Sequence, residues 1–441
     1  MSDLGARSYL RPRPGYVIVA CAAITILCGA IAAPPSLILG QTPAEFAQRR
    51  ERLRSALDGI LLVPSSVTTT DRERFRADND LVYLTGLELS SGMLALLPNG
   101  AEGDAKVLLF VNRRWGGPTL DRVKEDSGLS DVYDYREAWE RLKPIIGRIP
   151  KVYVAGSRAD RTAMEPDGGL EAYVRAQQPD GRVLNGNPLI HNLRVVKSDG
   201  EIANIKAAVR ATVEGMRRGA ARIRPGTSEL SVEGAVLAGF REGNAPREAF
   251  PCIVGAGPNS VDLHHDPTER SMRSGETVVV DIGAEVHYYA ADITRTFPVG
   301  GRFSPRAREL YNAVLQVQRD CEQYVKPGKT TWGELDSYAR AQLRQSRLRG
   351  TTSSNDLETL DRFLTHYIGH YIGMDVHDVG QSASPIPVGS VLAIEPGVYI
   401  PAENIGIRIE DNYLVTETGL VRLSEALPRD ADDIERMVRR R

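Results

Sequence analysis

The C-terminal half of the sequence contains acidic residues and a histidine that could bind divalent metal ions together. Each acidic residue lies at or near the end of an apolar run of the kind that forms a β-strand. Ionised carboxylates in such places need a counter-charge, and a pair of dications would supply it. Oxygen-rich ligation with one imidazole suits manganese, cobalt, iron or zinc, and such a pair of ions activates water for hydrolysis. The candidate residues are Asp281, Asp292, His370, Glu395 and Glu410.

The two aspartates are predicted to lie on adjacent strands. Residues 278–281, VVVD, form a β-branched run that is typical of a strand. Residues 288–294, YYAADIT, are predicted to be its hairpin partner. The hairpin would bring Asp281 and Asp292 close together.

The two glutamates are also placed by strand patterns. In residues 404–410 the isoleucines alternate with Gly, Arg and Glu, so period-two geometry puts Arg408 and Glu410 on one face. Glu395 ends another apolar run, and Pro396 removes a backbone donor and favours a strand end. Both glutamates are therefore expected at strand ends.

The histidines are clustered rather than numerous. Three of the seven fall within residues 365–378, THYIGHYIGMDVHD. Gly369 and Gly373 disfavour a helix there, since each costs about 1 kcal/mol relative to Ala. Histidines beside a carboxylate site are best interpreted as one ligand with neighbours that handle protons. A second pair, His264 and His265, follows a glycine-rich run that predicts a loop, and only one of the two need be functional.

Five strings resemble the successive motifs of the pita-bread metallopeptidases, the group that includes methionine aminopeptidase, prolidase and aminopeptidase P. Taken singly, each acid is more simply explained as a solvated strand end or half of a salt bridge. The resemblance joins all five candidate ligands into one site and implies an α+β fold with a curved antiparallel sheet around it. The strings are VVVDIGAE (278–285), ADITRTFPVGG (291–301), THYIGHYIGMDVHD (365–378), AIEPGVYI (393–400) and GIRIEDN (406–412).

The resemblance also implies how two metal ions are shared, with Mn²⁺ as the expected metal and Co²⁺, Zn²⁺ or Fe²⁺ as alternatives. Asp281 would bind one ion through both oxygens, and Asp292 and Glu410 would bridge the pair. His370 and Glu395 would complete the other ion. Glu395 is in addition the residue expected to accept the proton of the bridging water.

Further roles follow from the same resemblance. His264 would contact the substrate near the leaving group, and His377 would polarise the scissile carbonyl or stabilise the oxyanion. Arg408 would orient the ligands by a charge-assisted hydrogen bond. His366 is either a neighbour of the pocket or a packing residue, and Tyr399 is either a buried aromatic or a contact of the site.

Length and composition describe a folded protein of two or three domains. The chain has 441 residues, of which 42% are hydrophobic and 25% charged. The formal net charge is -2, so no electrostatic argument favours a nucleic-acid partner. A catalytic domain is predicted over residues 198–441, and it begins with a capping box from Ser198 to Glu201 that opens an amphipathic helix.

A smaller α/β domain is predicted over residues 43–190. Helical and strand-like segments alternate there, with a helix near residues 44–57 and strands near 59–63, 106–111 and 151–155. The strings EFAQRRERL (45–53) and FRADNDLVYLTGL (75–87) are similar to the N-terminal domain of aminopeptidase P enzymes. This domain contains no acid cluster, so we expect it to shape the cleft and an oligomer interface, in a homodimer or homotetramer.

The first 32 residues are predicted to be a secretory signal. Arg7, Arg11 and Arg13 precede mostly apolar residues 17–33, and Ala30-Ile31-Ala32 fits a cleavage site. The alternative is an uncleaved membrane anchor, since about 17 apolar residues are the lower limit for a span. We therefore expect an exported protein, periplasmic or secreted, or else one anchored at a membrane.

The function expected from the resemblance is hydrolysis of the N-terminal Xaa-Pro bond of peptides whose second residue is proline. A dipeptidase of the prolidase type shares all five ligands and is the first alternative. A creatinase-like hydrolase lacks the metal ligands, and a non-catalytic binding module would have lost some of them. Cys252 and Cys321 are either free thiols or a pair.

Overall fold

The computed structural model of the protein describes residues 41–65, 76–89, 92–100, 106–112, 118–149, 151–156, 174–176 and 182–439. These residues all belong to one unit, Ser36–Arg441. The predicted signal segment, residues 1–32, lies outside the described residues. Within the described part of the chain, no helix has both the length and the apolar character that a membrane crossing requires.

Six strands of the N-terminal half form one mixed sheet with helices packed against it. The strand order is β4-β3-β2-β1-β5-β6, with antiparallel pairs in the middle and parallel pairs on either side. The predicted α/β pattern, with its first helix and three strands, is confirmed. The elements are α1 (Pro43–Ala56), β1 (Ile60–Pro64), α2 (Asn79–Thr85), β2 (Gly92–Leu96), β3 (Val107–Val111), α3 (Leu120–Ser127), β4 (Val132–Asp134), α4 (Ala138–Ile146), β5 (Lys151–Val154) and β6 (Arg182–Asn185).

Two buried arginines of the EFAQRRERL string join helix α1 to helix α2. Arg49 donates to the carbonyl oxygen of Tyr83 over 2.9 Å, and Arg50 donates to that of Leu84 over 2.7 Å. Both carbonyls belong to the last turn of α2, where backbone acceptors have no partner within the helix. Helix α1 therefore holds the C-terminal end of α2 in place.

Three helices lead from this sheet to the C-terminal half: α5 (Asn187–Arg194), α6 (Asp199–Ala220) and α7 (Glu229–Glu242). The predicted capping box is confirmed, because Ser198 accepts from the Glu201 backbone and Glu201 from that of Ser198. Helices α6 and α7 cross closely at two glycines. A Cβ on Gly239 would lie 2.6 Å from the Cα of Gly215, so neither position accommodates a side chain.

After α7, the strands in the described part of the chain pair with one another in antiparallel orientation. Their sheets have the orders β11-β10-β7, β12-β9-β8, β15-β16-β19-β20, β17-β18 and β13-β14. The elements are β7 (Arg247–Glu248), β8 (Ile253–Ala256), β9 (Thr277–Ile282), β10 (Ala284–Val286), β11 (Tyr289–Ala290), β12 (Ile293–Pro298), α8 (Pro305–Tyr324), α9 (Trp332–Gln345), β13 (Arg349–Thr351), β14 (Leu357–Thr359), β15 (Gly369–Tyr371), β16 (Val391–Ile394), β17 (Gly397–Ile400), β18 (Ile405–Arg408), β19 (Asp411–Thr416), β20 (Gly419–Arg422) and α10 (Ala431–Arg439).

The predicted strand over residues 288–294 is wrong in its extent. The chain first makes a small hairpin, β10 to β11, through His287 and Tyr288, whose φ angles are 50° and 71°. Two successive positive φ angles are typical of the tight turn that Asn-Gly usually forms, and here the sequence carries no such signal. The partner of β9 begins only at Ile293.

Two other expectations are settled by the structure. The run before His264, predicted to be a loop, continues β8 as far as Ala256 and then forms a short 3₁₀ helix over Gly257–Val261. Cys252 and Cys321 are buried and free, so the open question of a disulfide pair is answered.

Candidate active site

The five candidate ligands lie together, each within a strand or directly next to one. Asp281 is in β9 opposite Thr294 of β12, and Asp292 immediately precedes β12. His370 is the middle residue of β15. Strands β16 and β19 pair Ile394 with Asp411, and Glu395 and Glu410 follow and precede that pair directly. Residues distant in the sequence therefore meet because strand registers bring their ends together.

The imidazole of His370 faces three of the four carboxylates. Its Nε2 lies 3.5 Å from Asp292 Oδ2, 3.7 Å from Glu395 Oε1 and 3.9 Å from Glu410 Oε1. Two overlapping groups place their ligand atoms within 4.8 Å of one another: Asp281, Asp292 and Glu410, and His370, Glu395 and Glu410. A third such group joins Asp292 and His370 to His377. The side chains are thus close enough to share cations.

The carboxylates fit divalent cations because some of their buried oxygens have no other partner. Oδ1 of Asp281, Oδ1 of Asp292 and Oε1 of Glu410 make no hydrogen bond within the described structure. Burial, and then the neighbouring carboxylate charges, raise the pKa values of Asp292 and Glu410 well above their ordinary range. Bound dications would reverse this effect, since they favour the ionised forms. The donor set therefore suits two metal ions.

The other carboxylate oxygens are held by the surrounding protein. Arg408 donates from Nη2 to Asp281 Oδ2 over 2.7 Å, and the Thr294 hydroxyl donates to Glu410 Oε2 over 2.8 Å. Arg408 Nε also donates to the Thr294 hydroxyl over 3.2 Å. Each of these acids has one oxygen held by a donor and one oxygen free to bind an ion. Such contacts fix the orientation of metal ligands.

His366 and Tyr399 are connected to this site through Arg408. Arg408 Nη1 donates to the Tyr399 hydroxyl over 2.8 Å, and that hydroxyl lies 2.9 Å from Nε2 of His366. Nδ1 of His366 lies 3.7 Å from Oε2 of Glu395, whose negative charge would raise the pKa of the histidine. Burial has the larger effect, so the pKa of His366 is lowered. Of the alternatives left open, His366 lines the pocket, while Tyr399 is both buried and in contact with the site.

The remaining two predicted residues face the same cavity from other loops. His377 packs against His370 with ring centroids 4.2 Å apart, and burial followed by the charge of His370 lowers its pKa. His264 lines the cavity, whereas its neighbour His265 is turned away and pairs with Glu229 over 3.0 Å. Of that pair, His264 is therefore the one placed to meet a substrate.

The cavity above the carboxylates has a volume of about 610 Å³, which is within the range of small-ligand pockets. Part of its lining, here called the apolar wall, consists of apolar side chains and was not predicted from the sequence. No local pattern marks these residues, because they come from separate segments, residues 250–263 and 367–376, which only the fold brings together. The wall residues are Phe250, Pro251, Ile253, Leu263, Tyr367 and Val376.

Comparisons with known proteins agree with the motifs and the fold. The pattern of metallopeptidase family M24 matches residues 203–417, and that of the aminopeptidase P N-terminal domain matches residues 46–153. The Xaa-Pro aminopeptidase of Haemophilus influenzae is 29% identical over 426 residues, which are 89% of this chain and 97% of that protein. Xaa-Pro aminopeptidase 1 of Streptomyces coelicolor is 30% identical over 435 residues, 89% of this chain and 86% of the relative.

A solved structure is similar over nearly the same length. Aminopeptidase P from Escherichia coli, with the inhibitor Pro-Leu, has a TM-score of 0.76 and 26% sequence identity, and the match covers 90% of this chain and 98% of that one. The pita-bread fold with a preceding α/β domain is thereby confirmed, although the exact domain bounds stay a prediction. By its sequence and its fold, this chain belongs to metallopeptidase family M24, in the group of the Xaa-Pro aminopeptidases.

Proposed function

We propose that this protein removes the first residue from peptides whose second residue is proline, at a centre of two divalent metal ions. The observation that carries the proposal is the buried carboxylate cluster, whose unpartnered oxygens lie beside His370 under a peptide-sized cavity. Two relatives that match this protein over most of its length are named Xaa-Pro aminopeptidases, which supports this activity over that of a prolidase.

When bound, the ions would polarise the scissile carbonyl and lower the pKa of a water molecule. Asp281, Asp292, His370, Glu395 and Glu410 would hold them. Membership of the metallopeptidase family implies divalent metal ions. We propose manganese in particular, with cobalt, zinc or iron as alternatives, because oxygen-rich ligation with one imidazole suits these metals.

Glu395 is the residue we propose as proton acceptor. Its side chain is 18% exposed, more than those of Asp292 and Glu410, which are 7% and 1% exposed, so water can reach it from the cavity. It also lies 3.7 Å from His366, which could pass the proton onward. The carboxylate is thus both a ligand and an open base.

His377 and His264 are proposed to act on the substrate itself. His377 would hydrogen-bond the carbonyl oxygen as negative charge develops on it, and a pKa below the ordinary value leaves the ring neutral near pH 7. His264 would contact the amide around the leaving proline. Both rings face the cavity rather than the protein core.

The apolar wall suits proline as the second residue of the substrate. An Xaa-Pro bond has no N–H, so an enzyme that recognises it depends on shape and apolar contact rather than on an amide donor. Phe250 and Val376 supply such contact beside the metal ligands. The E. coli enzyme binds the inhibitor Pro-Leu, a dipeptide that begins with proline.

A peptide series tests the proposal. Purified protein lacking residues 1–32 is supplied with Mn²⁺ and assayed with Xaa-Pro dipeptides, with Xaa-Pro-Yaa peptides of increasing length, and with matched Xaa-Ala peptides. We expect cleavage of the longer Xaa-Pro peptides and loss of that cleavage in Asp292→Ala. Turnover of dipeptides alone would indicate a prolidase. No turnover by a metal-loaded protein would support the non-catalytic binding module.

Two further proposals concern the setting of the enzyme. The N-terminal sequence pattern supports export, which is tested by expressing the full chain and determining the N-terminal residue of the mature protein. The family resemblance supports a homodimer or homotetramer, which light scattering of the purified protein measures.

A further inference from the structure

Arg194, the last residue of α5, is a buried cation surrounded by three carboxylates. Its side chain is 3% exposed, and it lies 2.8 Å from Asp80, 2.8 Å from Asp375 and 2.6 Å from Asp378. Lys197 adds a second buried cation, 2.8 Å from Asp378. A buried arginine with this many acidic partners holds them in place, because displacing a partner would leave a charge unpaired.

Two of these carboxylates belong to the loop that carries His377. Asp375 lies two residues before the histidine and Asp378 one residue after it. The loop is folded back on itself, since the Asp378 backbone N–H donates to Tyr371 and a Cβ on Gly373 would lie 1.9 Å from Asp378 Oδ2. Arg194 therefore holds the loop on both sides of His377.

The His377 ring has few supports of its own. In the described part of the chain it makes no hydrogen bond, and its ring contact is with His370. Its position over the cavity then depends on the backbone of its loop. Burial alone would raise the pKa of Asp378, but Lys197 and Arg194 outweigh it and keep that carboxylate ionised near neutral pH.

The third carboxylate extends the contact to the N-terminal half. Asp80 lies in α2, and the neighbouring Asn79 donates from Nδ2 to Asp375 Oδ1 over 2.8 Å. The His377 loop is thus joined to α2 both through Arg194 and directly. The N-terminal half lines none of the described cavity. This network nevertheless connects it to the reaction site through the His377 loop.

We propose that Arg194 is a positioning residue for catalysis, which holds His377 in place over the scissile carbonyl through Asp375 and Asp378. Asn79 and Asp80 of α2 belong to the same network, so the N-terminal half contributes to the rate of the reaction. This inference rests on the proposed function, in which His377 stabilises the developing oxyanion.

A double-mutant cycle tests whether Arg194 acts through His377. The variants are Arg194→Met, His377→Ala and the double variant. Each is assayed as the whole chain, loaded with metal, with a longer Xaa-Pro peptide as substrate. We expect Arg194→Met to lower kcat by on the order of tenfold to a hundredfold with little change in KM. In the His377→Ala background the same substitution should change kcat by less than about twofold.

The controls separate positioning from general damage. Arg194→Lys keeps the charge and should recover part of kcat, whereas Arg218→Met removes an exposed arginine that also pairs with Glu214 and should leave kcat unchanged. If Arg194→Met does not fold, Asp375→Ala replaces it in the cycle, because that side chain is 49% exposed and makes contacts with Arg194 and Asn79.

The outcomes distinguish this inference from the proposed function. If Arg194→Met lowers kcat by the same factor with and without His377, Arg194 does not act through that histidine and the inference is wrong. If His377→Ala alone retains full kcat, the proposed role of His377 itself is wrong. Loss confined to His377-containing protein supports both.

Discussion

Arg408 binds one oxygen of the Asp281 carboxylate and leaves the other oxygen to the metal site. Arg408 Nη2 donates to Oδ2 over 2.7 Å, while Oδ1 of the same residue is buried without a hydrogen-bond partner in the described structure. The arginine thus fixes the plane of the carboxylate and leaves Oδ1 free of protein donors. Arg408 also holds Tyr399 and, through it, His366.

Replacing Arg408 by methionine should therefore weaken metal binding as well as catalysis. We expect a loss of kcat/KM of on the order of tenfold to a hundredfold and a matching rise in the metal concentration needed for half activity. Arg408→Lys should recover little, because three separate guanidinium nitrogens contact Asp281, Thr294 and Tyr399, and the single nitrogen of a lysine does not reproduce that fork. Titration of the metal-free protein with Mn²⁺ measures this, and an unchanged titration would contradict it.

Metal removal should destabilise the protein in a pH-dependent way. Burial and the neighbouring carboxylates raise the pKa values of Asp292 and Glu410. A carboxyl whose pKa is raised in the folded protein stabilises that state fully when the pH is below its pKa in the unfolded chain, about 4. This stabilisation is lost as the pH rises through the pKa of the folded protein. The chelated protein should therefore become less stable from mild acid to neutral pH, while the metal-loaded protein should not. Thermal unfolding with and without chelator compares the two.

Asp292→Asn tests whether repulsion among the carboxylates destabilises the metal-free protein. Asp292→Asn removes a charge from the repelling cluster, so at neutral pH the metal-free variant should unfold at a higher temperature than metal-free wild type. Its activity should be lost at the same time. A lower unfolding temperature for the metal-free variant would show that repulsion among these carboxylates is not what destabilises the empty site.

The close approach of β18 to the 3₁₀ helix at Ser260 can be tested by substituting two glycines. A Cβ on Gly406 would lie 1.8 Å from the Ser260 carbonyl oxygen, whereas one on Gly234 of α7 would meet nothing within 4 Å. Gly406→Ala should lower the free energy of unfolding by about 1–3 kcal/mol or more. Gly234→Ala should raise it by about 0.5–1 kcal/mol, since the site is helical and open. Urea denaturation measures both, and equal effects would contradict the packing described.

Acid should weaken the network around Asp378. Its pKa lies below the ordinary value, so its contribution to stability is present above the unfolded value of about 3.9 and is lost as pH falls through the folded value. Asp378→Asn should cost about 3–5 kcal/mol near pH 6, because it leaves Lys197 and Arg194 with fewer partners. The difference from wild type should shrink below pH 4. A difference independent of pH would exclude the ion pairs as its cause.

Much of the site follows from local patterns, and the rest requires the fold. Apolar runs that end in an acid predicted the positions of Glu395 and Glu410 at strand ends, and the capping box predicted the start of α6. The hairpin at His287 and Tyr288 could not be predicted, because residues with positive φ there lack the usual Asn or Gly. Its turn is stabilised by tertiary context rather than by local preference.

The contacts that join distant segments are the other part that no pattern reveals. Asp378 is the last residue of a string that was recognised for its histidines, yet its partners Arg194 and Lys197 lie at the end of α5 and just after it. A charged residue next to a motif is usually solvated, so the sequence alone favours the simpler interpretation. Burial and distance are what distinguish the network.

Metal stoichiometry of the purified protein tests the central claim most directly. After dialysis against trace Mn²⁺, elemental analysis should find about two ions per wild-type chain, fewer in Asp292→Asn, and the wild-type number in the exposed control Asp356→Asn. Activity toward Xaa-Pro peptides should follow the metal content across the three proteins. Full activity in protein that holds no divalent metal, or two ions retained in Asp292→Asn, would contradict the account.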